Sequence, residues 1–223
     1  MSGLYRLAGI AALASAVIIP AQVAVFIASP PPLQGTALDW FALYQRSPLV
    51  GLINLDLLLV VDNLLLIPIL LALYLVLRKA GEPAALLAAA LGLLAVVLYI
   101  LTNPSVEMLS LSRRFAAADS DADRTVYTAA AQALLSSWTG TAFHVGYIVG
   151  SIGGILWGAL MRRGAVFSRM TGDMAILGNA VGLGLYVPRI GVLISVFSVL
   201  FLWIWYVLMG LRFLRLPPRV RPS

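Results

Sequence analysis

Residues 190–211 read IGVLISVFSVLFLWIWYVLMGL, a run without one charged side chain. A helix crossing the hydrocarbon core of a bilayer needs about 20 mostly apolar residues, and this run meets that requirement. Runs of the same kind cover 4–29, 49–77 and 83–101. Two further segments complete the set. Segment 128–161 is long and polar at its start; 171–187 is short and carries Gly172, Gly178, Gly182 and Gly184. The expected fold is all-α: a six-span transmembrane helix bundle forming one integral membrane domain over 1–223. The fifth span is either tilted or partly re-entrant, and re-entry is tolerated only when buried against neighbouring helices.

Apolar side chains make up 61% of the chain and charged ones 11%, against about 25% charged in soluble domains. That excludes a soluble globular domain and a disordered chain. The net charge of +6 rests on only 15 Lys and Arg, too few for a phosphate-binding face, so no nucleic-acid partner is expected. Absence of cysteine excludes a disulfide framework, Cys-ligated zinc or iron–sulfur clusters and a thiol nucleophile.

Breakers mark the span ends. Pro30, Pro31 and Pro32 close the first, Gly81–Pro83 turns the chain after the second, and Asn103-Pro104 ends the third. Pro188 and Arg189 leave room only for a tight hairpin between the last two. The first apolar run exceeds the usual 7–15 residue core of a signal peptide and reads as a retained span. With the N-terminus in the cytoplasm, the inside carries Arg6, Arg78, Lys79, Arg162, Arg163, Arg169, Arg212, Arg215, Arg219 and Arg221. The outside then carries Arg46, Arg113, Arg114, Arg124 and Arg189. Ten against five fits the positive-inside rule with both termini cytoplasmic and two longer outside loops. The expected location is a bacterial inner membrane. The Arg-rich tail 212–221 reads as a topology anchor, or more sharply as a contact for anionic headgroups.

The first outside loop, 34–48, holds Leu38, Trp40, Phe41, Leu43 and Tyr44 among polar residues, the pattern of a short amphipathic helix lying on the membrane. The second, 104–127, contains Asp119, Asp121 and Asp123 at alternate positions, like the start of a calcium loop. Arg124 and Ala130 stand where that motif needs Gly and Glu, so no metal is expected. A polar turn with Asp121 or Asp123 capping a helix near Arg124 is the simpler reading.

Polar groups inside the spans are the candidates for function. Segment 49–77 contains 21 Leu, Ile and Val, worth about −6 to −13 kcal/mol of insertion, enough to carry two Asp at about 2.5–3.5 each. Counting about 1.5 Å per residue from Arg78, Asp62 lies about 24 Å up and Asp56 about 33 Å, so Asp56 reads as interfacial and Asp62 as intramembrane. An intramembrane ionisable group is a functional candidate by default, although a protonated structural Asp fits as well. Asn63 neighbours it. Ser137, Thr141, the lone histidine His144 and Ser151 form a polar stripe, with Tyr147 one turn on. His144 lies about 27 Å above Arg162 and Asn179 about 15 Å above Arg169. Asp62, His144, Asn63, Thr141, Tyr147 and Asn179 therefore make a candidate outward-facing polar pocket, with helix-packing hydrogen bonds as the plainer alternative. Trp203, Trp205 and Tyr206 lie too deep for an interface belt and are expected to pack or line a pocket. Gly146, Gly150, Gly154 and Gly158 recur at small-x-x-x-small spacing and are candidates for close helix packing, internal or between subunits.

No phosphate-binding loop, His-Glu-x-x-His, Gly-x-Ser-x-Gly or inverted repeat is present, and no catalytic residue or cofactor is expected. A set of soft patterns runs almost end to end. It comprises Arg6-Leu-Ala-Gly9, Leu71-Ala-Leu-Tyr74, Tyr127-Thr-Ala-Ala130, Phe167-Ser-Arg169, Pro188-Arg-Ile-Gly191 and Leu202-Trp-Ile-Trp-Tyr206 with Leu211-Arg212. With these the chain resembles a bacterial family of six-span membrane proteins catalogued as a domain of unknown function, DUF 4386. The resemblance implies a six-helix integral membrane fold and no reaction. Three functions stay open. One is an accessory or binding protein associating with membrane lipids, other membrane subunits or further copies of itself. Another is a small-molecule or ion transporter or receptor built on Asp62 and His144. The last is a membrane enzyme using those two as acid and base.

Overall fold

The computed structural model describes residues 2–216, and among them every regular element is helical. Arg219 and Arg221 of the basic tail lie outside the described residues. The helices are α1 (Ser2–Ala28), α2 (Ala37–Arg46), α3 (Pro48–Asn54), α4 (Leu57–Leu77), α5 (Glu82–Thr102), α6 (Ser105–Ala116), α7 (Asp121–Trp138), α8 (Thr141–Arg163), α9 (Arg169–Gly182) and α10 (Gly191–Leu214). Five stretches are long and apolar enough to cross a membrane: Gly3–Ala28, Leu57–Ala80, Glu82–Ala116, Asp121–Arg163 and Gly191–Leu214. At 14 residues, α9 falls short of the roughly 20 that a full crossing needs, although a 3-10 turn over Leu183–Tyr186 extends it.

Six helices close into an antiparallel ring, in the order α1–α4–α5–α8–α9–α10 and back to α1. The ring is closed by the last helix returning along the first: Trp203 donates its indole N–H to the Ala16 carbonyl at 2.7 Å. Small residues set the tightest approaches. A Cβ built on Gly158 would stand 2.6 Å from the Gly172 carbonyl oxygen, and one on Gly172 would stand 2.6 Å from that of Gly158. Only glycine at both positions permits this α8–α9 crossing. Lipid tails are as apolar as leucine, so such backbone contact, with its dispersion energy, replaces hydrophobic burial as the force joining the helices. Leucines and valines on the outer faces, among them Leu86, Leu101, Val192 and Leu200, stay exposed.

At one end of the ring sits a second layer made of α2, α3, α6 and α7. It has its own core of Trp40, Phe41, Tyr44, Leu55, Met108, Ala131 and Leu135. The apolar face of α2 is turned onto α6 and α7, with Trp40 edge-on to Trp138 and Phe41 against Phe115. The helix expected over 34–48 therefore forms, but its apolar side is buried in this cap and does not lie on a bilayer. Asp39 begins α2: it accepts from the Thr36 backbone N–H (2.7 Å) and hydroxyl (2.9 Å). Those two bonds hold its carboxyl below the usual carboxylate range. The expected polar loop 104–127 is in fact α6 and the start of α7. The N-cap of α7 is Ser120, whose hydroxyl accepts from the Asp123 N–H, so neither Asp121 nor Asp123 takes that position. Opposite the cap, the other end of the ring gathers Arg78, Lys79, Arg162, Arg163 and Arg212. There Arg162 pairs with Asp173 at 3.3 Å, and Arg212 donates to the Val166 carbonyl.

Two expected spans are interrupted at the cap. Residues 49–77 divide into α3 and α4 at Leu55–Asp56, where Asp56 takes a left-handed conformation with φ 64°. Backbone groups near the break need partners because no water reaches them in a bilayer. Two side-chain amides supply them, Gln22 to the Ile53 carbonyl and Asn103 to that of Leu55, at 2.8 and 2.7 Å, while Asn54 ties the break to the end of α1 by donating to the Ser29 carbonyl at 2.8 Å. Residues 128–161 divide at Thr139–Gly140 into α7, which belongs to the cap, and α8, which belongs to the ring.

Candidate functional site

A partly open cavity of about 280 Å³ lies between α4, α5, α8, α9 and α10. Its largest face is α8. Phe143, Gly146, Tyr147, Gly150, Ser151, Gly153, Gly154 and Trp157 all line it, at successive offsets of three, one, three, one, two, one and three residues. That is one continuous stripe at helical period. Across from it stand Asn63, Leu66 and Leu70 of α4, Gly92, Val96 and Tyr99 of α5, Asn179 of α9, and Leu202, Trp205 and Tyr206 of α10. Aromatic rings form the walls, and glycines leave flat backbone between them. No lining residue carries a formal charge.

The polar atoms divide into those sealed in the wall and those free. The Trp157 indole N–H and the Tyr99 hydroxyl have no partner and no accessible surface, so nothing inside the cavity reaches them. Tyr147 is spent on its neighbours, donating to the Gly182 carbonyl and sharing a hydrogen bond with Ser195, both at 3.0 Å. Each asparagine ties its Nδ2 back to its own helix, Asn63 to Leu59 and Asn179 to Ala175, at 2.9 and 2.8 Å. Their Oδ1 atoms and second N–H groups remain free. Asn179 lies flat on Gly154, where no Cβ would fit beside it. Ser151, 7% exposed, presents a hydroxyl engaged by no other described residue. At about 1.5 Å per residue from the basic helix ends (Arg78, Arg162 and Arg169), Asn63, Ser151 and Asn179 lie about 15–23 Å up. They form a band of uncharged hydrogen-bonding tips at mid-depth.

Of the six candidate pocket residues, the structure brings Asn63, Tyr147 and Asn179 to this cavity. Asp62, His144 and Thr141 are not among its lining. Asp62 is buried beside Tyr206, whose hydroxyl points to its Oδ2 at 3.5 Å. Its Oδ1 has no partner. His144 and Thr141 are exposed near the start of α8. His144 meets Tyr186 through Nδ1 at 3.2 Å and stacks in a cluster with Phe143, while Tyr147 also packs on Phe143 and Tyr186. No hydrogen bond or ion pair joins Asp62 to His144. Ser137 leaves the expected stripe because the break at Gly140 places it on α7. The glycines divide between two neighbours: Gly146 and Gly150 face Leu98 and Ala95 of α5, and Gly154 and Gly158 face α9.

Phe143, Trp157 and Tyr99 escaped the reading of single polar residues. The signal that finds the first two is the combined aromatic, glycine and serine period along 143–157; Tyr99 has no local signal. Among the described residues no group of three or more His, Cys, Asp or Glu could hold a metal ion. Compared with models of protein families, with curated proteins and with solved structures, the chain matches none.

Proposed function

We propose that this is an integral membrane binding protein that holds a small, uncharged, largely apolar molecule taken from the membrane. The observation that carries the reading is the 280 Å³ cavity lined by five helices of the ring. An apolar cavity of about 150 Å³ already binds benzene, so this one has room for about two fused six-membered rings. The reading includes six crossings with both termini in the cytoplasm of a bacterial inner membrane, and membership of the six-span family named above. Two features support the sixth crossing: Tyr186 reaches His144 at the start of α8, and Arg212 reaches Val166 at the opposite end. The α8 glycines are occupied by α5 and α9, so an accessory role through a glycine-mediated subunit contact has no carrier there.

Native mass spectrometry of the protein, extracted from its own host in mild detergent, tests this. Wild type is expected to retain a stoichiometric small-molecule mass, and Leu66→Trp, which fills the cavity, to lose it while keeping a single sharp thermal transition. Identical spectra for the two would sink the reading, and stoichiometric foreign subunits would favour the accessory role. A transporter is the second reading, favoured by Asp62, whose buried Oδ1 lacks a partner. Asp62→Asn should then abolish proton-linked uptake; unchanged uptake would remove it.

A further inference from the structure

The accessible polar atoms of the cavity narrow what it takes. We infer that the ligand is a neutral ring compound bearing a single polar oxygen, a hydroxyl or carbonyl, held at mid-depth by Ser151 between Asn63 and Asn179. The inference rests on the binding reading above and deepens it. Its first support is the exclusion of charge. Asp62 is the one carboxylate near this depth; it is not part of the lining, and Tyr206, which is, directs its hydroxyl to the Asp62 Oδ2 at 3.5 Å. An ionised ligand would therefore enter a wall with no counter-charge, and burying an unpaired ion is strongly unfavourable.

The second support is shape. Phe143, Tyr147, Trp157, Trp205 and Tyr206 supply ring faces. Gly150 and Gly154 keep the α8 backbone flat between them, and flat π surfaces favour offset stacking or edge contact with another ring.

The third is the polar band. A lipid acyl chain would leave the Ser151 hydroxyl and both asparagine Oδ1 atoms unsatisfied, and each buried unsatisfied group costs about 1–3 kcal/mol. Ser151 is more than nine-tenths buried and uncommitted, and it can donate to or accept from one oxygen. The asparagine amides on either side offer one acceptor and one donor each. One hydroxyl or carbonyl on a ring answers this set; a hydrocarbon does not.

The test uses the full chain in lipid nanodiscs with three probes of similar size: 1-naphthol, naphthalene and 1-naphthoate. Each affinity is compared between wild type and variant, so that partitioning into lipid cancels. Ser151→Ala should weaken 1-naphthol about fivefold, the loss of one hydrogen bond, and leave naphthalene unchanged. Ser151→Thr, which keeps the hydroxyl, should restore 1-naphthol binding, and 1-naphthoate should not bind. If Ser151→Ala leaves 1-naphthol unchanged, or if 1-naphthoate binds as well as 1-naphthol, the ligand class is wrong while the cavity reading stands, provided Leu66→Trp still abolishes binding. If Leu66→Trp affects no probe, the cavity reading itself falls and takes the ligand class with it.

Discussion

The ring and the cap are both made of helices, yet they hold together by different means. In the cap, α2 turns Trp40, Phe41 and Tyr44 inward and Asp39 outward, and Arg113, Arg114 and Arg124 face outward on its other helices. That is the arrangement of a water-soluble core, where burial of aromatic surface supplies the stability. In the ring the outer surface is as apolar as the centre: leucine and valine stay outside, Leu73, Met161, Trp205 and Phe213 fill the core, and glycines set the closest helix approaches. Where the surroundings are as apolar as the core, only close fit distinguishes inside from outside. The cap is therefore expected to tolerate changes in side-chain volume poorly. The ring tolerates most outer substitutions and fails at a few glycines.

The sharpest way to break that contrast is at the α8–α9 crossing. Gly158→Leu drives a side chain into the Gly172 carbonyl and the Ile176 backbone nitrogen, neither of which can move without separating the helices. Destabilisation above about 3 kcal/mol is expected, at the upper end of overpacking effects. It would be read as loss of monodisperse protein in detergent. Gly3→Leu, where a Cβ meets nothing within 4 Å, should leave the protein unchanged. Similar behaviour of the two variants would mean that backbone approach is not what joins the ring.

A change of comparable size, confined to the cap, separates the two layers. Trp40→Ala removes a fully buried ring from the cap and should cost about 3–5 kcal/mol. If the cap is its own cooperative unit, amides of α2, α6 and the first turns of α7 will exchange quickly while α5 and α8 stay protected. Loss of protection throughout would show that the ring leans on the cap, and the comparison would have to be abandoned.

What could be read from the sequence follows the same division. Helical class and most ring helices were legible because length and hydropathy act locally: α1, α5 and α10 fall within a few residues of the runs at 4–29, 83–101 and 190–211. The breaks were not. Nothing local marks Asp56 as a left-handed junction, since it is made tolerable by Gln22, Asn54 and Asn103, the first and last of them distant in the chain. Nor did apolar content separate α7 from α8, because both fit one long hydrophobic segment. At the site, depth counting placed Asp62, His144 and Asn179 within the membrane but could not assign faces. Asp62 has the right depth but does not line the cavity and meets the Tyr206 hydroxyl instead; His144 has nearly that depth and belongs to the aromatic cluster around Tyr186.

The finest distinction between the layers is a single hydroxyl. Tyr44 reaches through the cap core to donate to the Ser105 carbonyl at 2.8 Å, at the turn where α5 hands over to α6. Tyr44→Phe keeps the ring and removes that bond, which should cost about 1 kcal/mol and increase amide exchange in α2 and α6 only. Burial, with the Glu107 carboxylate as a second contribution, raises the phenol above its ordinary pKa. The neutral form is thus favoured by folding. Its contribution is complete below about pH 10, the unfolded value, and is lost as pH rises from there toward the folded one. Wild-type cap protection should accordingly hold to about pH 10 and decline above it, whereas the Phe variant starts lower and declines less. Parallel curves for the two would show that Tyr44 is not the group through which the cap senses alkali.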